Sequence, residues 1–164
     1  MKQKNNKKPK LGQHFLIDHS YKNLIIDNVH NLGIKNILEI GPGAGAITSE
    51  LVKYSINFLG LEIDRKLYLD LKNKYKEKKV DFLNLDAGKM NTDKYDFFQE
   101  KYILVGNLPY YSANMIVRNF ITTTFKPKYL IIMIQKEVAE NYLSQVPNMK
   151  FIGHTIQIYT KVKK

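Results

Sequence analysis

The chain has 164 residues, 44% of them hydrophobic, enough for one domain with a proper core. It contains no cysteine, which excludes disulfides and thiolate metal sites, and its four histidines (His14, His19, His30, His154) show no ligand spacing. The formal net charge is +11, and a surplus of this size points to a polyanionic partner, most often nucleic acid. The alternative source of the surplus is composition alone: lysine far outnumbers arginine (only Arg65 and Arg118), as AT-rich codon drift would produce. No apolar stretch approaches the roughly 20 residues of a membrane span, and the lysine-rich N-terminus lacks the apolar segment of a secretory signal. The expectation is a cytoplasmic, monomeric protein that needs no metal and no membrane.

Residues 1–10 are polar, basic and aperiodic and read as a disordered tail that touches phosphates nonspecifically. The remainder, 11–164, reads as one domain. Ser20 is placed to cap a helix from about Tyr21 to His30, with Gly33 just past its end. Strands and helices then alternate. Ile37–Ile40 is strand one, and a glycine turn opens a helix from about Ala46 to Tyr54. Phe58–Ile63 is strand two, and Asp64 caps a lysine-rich helix from about Arg65 to Tyr75. Val80–Leu85 is strand three, Tyr102–Gly106 strand four, and Ser112 caps a helix to about Thr123. Tyr129–Ile134 is strand five, and Lys136–Leu143 is a helix. This rhythm predicts an α/β fold with a mostly parallel sheet and helices on both faces. At the end, Ile156, Ile158, Thr160 and Val162 alternate with polar or aromatic residues, a period-two strand signal.

Two motifs carry the chemistry, each at a strand end, where open α/β sheets bind ligands. In Glu39-Ile40-Gly41-Pro42-Gly43-Ala44-Gly45 the glycines allow a tight turn and close approach of a ligand. Glu62, 21 residues after Gly41, is placed to accept hydrogen bonds from both hydroxyls of a ribose. The spacing alone suits a dinucleotide as well as S-adenosylmethionine. Glu39, inside a strand, and Asp86, at another strand end, tilt it: three acids around one crevice suit a cationic sulfonium with an amine better than a pyrophosphate. The bland reading makes Glu39 and Asp86 helix caps or solvated ends.

The second motif is Asn107-Leu108-Pro109-Tyr110. Adenine N6 is a poor nucleophile because its lone pair is delocalised into the ring. If the Asn107 side-chain oxygen and the Leu108 carbonyl each accept one N6 hydrogen, the nitrogen can pyramidalise. Pro109 fixes the turn, and Tyr110 can stack on the base and favour the developing positive charge. A base buried in a duplex would have to be flipped out.

With these motifs in place, the chain resembles the ribosomal RNA adenine N6,N6-dimethyltransferases, and its small-subunit branch more than the erythromycin-resistance methylases. The matching stretches are Lys10-Leu-Gly-Gln-His-Phe-Leu16, Leu38-Glu-Ile-Gly-Pro-Gly-Ala-Gly45, Gly60-Leu-Glu-Ile-Asp64, Leu85-Asp-Ala87, Val105-Gly-Asn-Leu-Pro-Tyr-Tyr-Ser112 and Met133-Ile-Gln-Lys-Glu-Val-Ala-Glu140. The resemblance implies a Rossmann-like methyltransferase fold with S-adenosyl-L-methionine as cofactor. By it, His14 and Leu16 close over the cofactor with Gln13 beside them, and Gly41 contacts the methionine part. Glu62 holds the ribose, Asp86 the adenine, and Asn107 lies between cofactor and target. Gly43, Ile63 and Ala87 complete the implied cofactor set, and Asn107, Leu108, Pro109 and Tyr110 form the catalytic set. The implied reaction is dimethylation of N6 on two adjacent adenosines near the 3′ end of small-subunit rRNA, on naked rRNA or the immature subunit. The resemblance also implies a C-terminally truncated chain, without the last strands and the helical RNA-contacting domain. It makes Gly153 to about Tyr159 a helix followed by a strand, against the period-two reading. Two other readings are a non-catalytic RNA-binding assembly factor that keeps the cofactor fold, and a nicotinamide-dependent dehydrogenase, which leaves Asn107 to Tyr110 unexplained.

Overall fold

The apolar runs of the sequence meet as a five-stranded parallel sheet. The structure, a computed structural model, describes residues 19–164. The expected tail and the site residues Gln13, His14 and Leu16 lie outside the described residues. Strands β1 (Asn36–Ile40), β2 (Asn57–Leu61), β3 (Asp81–Leu83), β4 (Ile103–Asn107) and β5 (Tyr129–Met133) stand in the order β3-β2-β1-β4-β5. Every neighbouring pair is parallel. Six helices accompany them: α1 (His19–Asn31), α2 (Thr48–Tyr54), α3 (Arg65–Lys74), α4 (Tyr110–Thr122), α5 (Lys136–Leu143) and α6 (Phe151–Tyr159). The chain winds outward from β1 to β3, then crosses back to place β4 on the other side of β1. That reversal opens a crevice at the carboxyl ends of β1 and β4.

Alternation along the strands divides the core in two. Ile37, Phe58, Ile103 and Val105 pack with Val29 of α1, Leu51 of α2 and Leu71 of α3 on one face. Leu38, Leu59, Leu61 and Leu104 pack with Ile116 and Phe120 of α4, Val138 of α5 and Ile156 of α6 on the other. Burial on both faces is what a parallel sheet requires, and it explains the apolar run Ile103-Leu104-Val105 of β4 and the apolar residues Ile37, Leu38 and Ile40 that flank Glu39 in β1. No helix among the described residues is long and apolar enough to cross a membrane.

Asp64 caps α3 as expected, accepting from the amides of Lys66 and Leu67. Gly33 ends the first helix with φ +68°, the left-handed conformation that costs glycine least. Two expected caps are corrected. Ser20 lies inside α1, and the N-cap of α4 is Pro109, not Ser112. Pro109 supplies a fixed φ of −64° and a carbonyl that accepts from the amides of Ser112 and Ala113, so no hydroxyl cap is needed at that end. Several bounds also shift. The helix after the glycine turn starts at Thr48, because the three glycines and Pro42 keep the chain in turns up to Ile47. Strand β3 is shorter than Val80–Leu85: its regular ladder with β2 covers Asp81 to Leu83, opposite Leu59 to Leu61, and beyond it two backbone hydrogen bonds link Leu83 and Leu85 to Glu62.

At the chain's end the helical expectation holds and the period-two strand does not. Helix α6 buries Gly153 and Ile156 and leaves Ile158 exposed. Its close fit to α5 decides the matter. A Cβ on Gly153 would lie 2.5 Å from the Asn141 carbonyl, and the Gln157 amide donates to the carbonyls of Tyr142 and Ser144. No strand follows α6 among the described residues.

Gly60 is a packing requirement of the sheet. A Cβ there would stand 2.5 Å from Cδ1 of Phe82 and 3.3 Å from Cγ of Pro42. Phe82 is itself held between Phe58 and Tyr75, at ring separations of 5.6 and 5.7 Å, and has nowhere to retreat. Gly60→Ala is therefore expected to cost about 1–3 kcal/mol, the usual range for overpacking a core, read as a lower midpoint in urea unfolding. An unchanged midpoint would show that the Phe82 ring is freer than its neighbours suggest.

Candidate functional site

The crevice is built from turns that leave four neighbouring strands at the same edge. After β1, Gly41, Gly43 and Gly45 adopt φ of +65°, +60° and +83°, values that side-chain-bearing residues rarely take. The Gly41 amide donates to the Leu61 carbonyl (2.9 Å), joining this turn to the end of β2. A Cβ built at Gly41 would lie 4.0 Å from the Asn107 carbonyl oxygen. The glycine turn and the Asn107–Tyr110 turn, 66 positions apart in sequence at Gly41 and Asn107, are thus in direct proximity.

Glu62 follows β2 and is 3% exposed. Its Oε2 accepts from the Gly43 amide and its Oε1 from the Asp64 amide, both at 2.9 Å. One carboxylate thereby ties the glycine turn to the start of α3. Each carboxylate oxygen can accept a second hydrogen bond, so these contacts leave capacity for a ligand. Asn84, which sequence reasoning passed over, steadies this segment: its Nδ2 donates to the carbonyls of Glu62 (2.8 Å) and Ile63 (3.1 Å). The signal was a polar residue between Leu83 and Leu85 in an apolar run. Ile63 is 51% exposed, an apolar side chain left beside the crevice.

Asp86 caps a short 3₁₀ turn, Ala87–Lys89, through a 3.0 Å hydrogen bond from the Gly88 amide to Oδ1. Asn119 of α4 anchors this turn by donating to the carbonyls of Ala87 and Met90. Ala87 is buried with its methyl in the core facing α4, so only its backbone is available to a ligand in the crevice. At the end of β4, Asn107 is half-buried, and Leu108 buries its side chain while its amide donates to the Met133 carbonyl (2.9 Å). The rings of Tyr110 and Tyr111, 57% and 63% exposed, open the first turn of α4.

Glu39 is the electrostatic anomaly. It lies in register with Gly60 of β2 and Val105 of β4, at the centre of the sheet, and is 2% exposed. It is neither a cap nor a solvated end. Its Oε2, Thr48 Oγ1 and Tyr75 Oη have no hydrogen-bond partner among the described residues. Burial pushes the Glu39 carboxyl up from 4.5 to about 8; the nearby Thr48 hydroxyl, though outside hydrogen-bond geometry, opposes the rise, and the charge of Glu62 adds to it. Burial also raises Tyr75, with further contributions from Glu39 and Glu50. Thr48 and Tyr75 carried no sequence signal, because only folding brings α2 and α3 over Glu39.

The raised carboxyl has a thermodynamic consequence. Below about pH 4.5 both the folded and unfolded carboxyls hold the proton. Between there and about 8 only the unfolded one ionises, so stability falls as pH rises, and above about 8 the loss is complete. Glu39→Gln is therefore expected to flatten the pH dependence and to stabilise the fold at pH 8–9 by a few kcal/mol, read from urea unfolding across pH. Parallel wild-type and variant curves would mean that Glu39 ionises freely in the folded state.

The comparisons with known proteins agree with this geometry. The family described as "Ribosomal RNA adenine dimethylase" matches residues 4–162. The chain is 38% identical over 164 residues to the ribosomal RNA small subunit methyltransferase A of Campylobacter fetus, covering 95% of this chain and 58% of that protein. It is 32% identical over 151 residues to the protein of that name from Dehalococcoides mccartyi, covering 91% and 52%. The chain thus spans about half the length of the curated relatives it matches. A crystal structure of a dimethyladenosine transferase from Plasmodium falciparum superimposes with a TM-score of 0.66 at 26% identity, covering 81% of this chain and 47% of that one. The structure of the 23S rRNA methyltransferase ErmE shares the fold at 23% identity, with a TM-score of 0.63, 78% of this chain and 50% of that one covered. With its Rossmann-like methyltransferase sheet and matches along nearly its whole length, the chain belongs to the ribosomal RNA adenine dimethylase family.

Proposed function

We propose that this chain is the S-adenosylmethionine-binding, methyl-transferring part of an rRNA adenine N6,N6-dimethyltransferase acting on two adjacent adenosines near the 3′ end of small-subunit rRNA. The observation that carries the reading is the proximity of Gly41 to Asn107, which sets a nucleoside-binding turn beside a turn suited to an exocyclic amine. The donor and acceptor set fits the cofactor. Glu62 and Asp86 offer carboxylate oxygens at the ends of β2 and β3 for ribose and adenine, and the glycine turn admits the methionine part. A nicotinamide dinucleotide fits less well, since its pyrophosphate would meet these carboxylates.

S-adenosylmethionine supplies, when bound, an electrophilic methyl group on a cationic sulfur. The protein's task is to position and polarise the target nitrogen. In the first transfer Asn107 Oδ1 and the Leu108 carbonyl accept the two N6 hydrogens, which localises the lone pair on nitrogen. The methylated, cationic nitrogen then gives one proton to solvent. In the second transfer its single remaining hydrogen is held by one of the two acceptors before a second proton is lost in the same way. The buried Leu108 side chain and the fixed Pro109 φ hold that carbonyl in place. Tyr110 stacks on the extruded base and favours the positive charge that develops there. Most of the acceleration then comes from positioning and electrostatics. The test is methyl transfer from labelled S-adenosylmethionine to immature small subunits that lack the modification. The expected product is N6,N6-dimethyladenosine; cofactor binding without incorporation would overturn the activity and favour an RNA-binding assembly role.

A further inference from the structure

The charge of this chain is not spread evenly. Seven of its 26 lysines and arginines, but only two of its 15 acids, fall within residues 65–79, along α3 and the turn after it. All seven (Arg65, Lys66, Lys72, Lys74, Lys76, Lys78, Lys79) are exposed. Helix α3 lies beside β3, the outer strand on that side of the sheet among the described residues, so the basic residues form a ridge along that edge. The two acids, Asp70 and Glu77, do little to neutralise it: the Lys76–Glu77 ion pair within the ridge is 4.0 Å long and largely open to solvent.

Two tyrosine rings, buried Tyr75 and half-buried Tyr68, lie under the ridge. The ammonium groups of Lys74 and Lys78 stand 5.4 and 5.9 Å from the centroid of the same ring, that of Tyr75. Lys72 stands 5.8 Å from the ring of Tyr68. Two like charges gathered at one ring repel each other, and a bridging anion relieves that repulsion. The ridge also reaches the glycine turn, because Lys74 Nζ would lie 3.6 Å from a Cβ on Gly45. Within residues 65–79 Leu69 is the one large apolar side chain that is exposed, Tyr75 being buried. An anionic membrane surface is therefore a poor match, since interfacial binding needs apolar side chains to insert. A run of phosphodiesters is a good one.

We infer that the Lys72–Lys79 ridge is a second RNA-contacting surface, which holds the phosphate backbone of the substrate outside the crevice. The inference rests on the reading of the chain as an rRNA-modifying enzyme. Lysine contacts to phosphate position an RNA without reading its bases. The ridge accordingly sets affinity and salt dependence, while the crevice selects the adenosines.

The test replaces Lys76, Lys78 and Lys79 by glutamine in the full chain, leaving Lys74 beside the glycine turn untouched. A second triple variant, Lys101→Gln, Lys126→Gln and Lys128→Gln, makes the same charge change elsewhere. Binding of a small-subunit rRNA transcript is measured against salt, and S-adenosylmethionine binding alongside. The ridge variant is expected to lower the slope of log affinity against log salt by roughly 1 per lysine in contact with phosphate, with cofactor affinity unchanged and the comparison variant close to wild type. An unchanged slope in the ridge variant, or an equal loss in both variants, overturns the ridge. Preference for phosphatidylserine vesicles over the transcript overturns it too. Failure of the methylation reading looks different: salt-sensitive, ridge-dependent RNA binding with no methyl transfer by the wild-type chain.

Discussion

Asn107→Ala is expected to slow methyl transfer by about 10²–10³-fold, the usual effect of removing one preorganised polar group from a reacting centre, while affinity for S-adenosylmethionine stays largely intact. The asymmetry follows from position. Asn107 is the last residue of β4, in register with Met133 of β5, and the strand ladder holds its backbone whatever its side chain. Leu108 remains buried and anchored to the Met133 carbonyl in the variant. What is lost is the side-chain oxygen proposed to accept an N6 hydrogen, so the nitrogen keeps its lone pair in the ring. Single-turnover methylation together with calorimetric titration of the cofactor separates the two effects. Equal loss of both would move Asn107 from target activation to cofactor binding.

Glu62→Ala is expected to have the opposite signature, raising the cofactor Kd by about 10²-fold or more. The carboxylate is proposed to hold the ribose, and it also accepts from the amides of Gly43 and Asp64. Its removal deletes the ligand contact, frees the glycine turn from the start of α3 and leaves two amides without their acceptor. A hydrogen bond to a charged group contributes about 1.5–3 kcal/mol, so the fold itself should also lose a measurable fraction of its stability. Titration of the cofactor and urea unfolding, both at neutral pH, check the two halves. Unchanged cofactor affinity would remove the ribose contact, and unchanged stability would mean that solvent satisfies the two amides equally well.

These residues also mark the division between what the sequence determines and what tertiary structure decides. The parallel sheet and the strand-end positions of Gly41, Glu62, Asp86 and Asn107 were legible in the chain, because apolar runs, glycine spacing and punctuating acids are local signals, whereas the order of the strands across the sheet came only with the fold. The cap at Asp64 was legible for the same reason. The Ser20 and Ser112 caps misled, because a capping residue type is a local preference that Pro109 and the actual start of α1 override. The end of the chain misled residue-based reasoning most. Ile156, Ile158, Thr160 and Val162 alternate as a strand would, yet contacts of Gly153 and Gln157 with α5 make the segment a helix. Periodicity over a few residues carries less free energy than a close interhelical fit with its hydrogen bonds. The state of Glu39 also needed the fold. Its sequence position shows an acid within an apolar strand, but the burial that raises its carboxyl to about 8 comes from α2 and α3, which only folding lays over it.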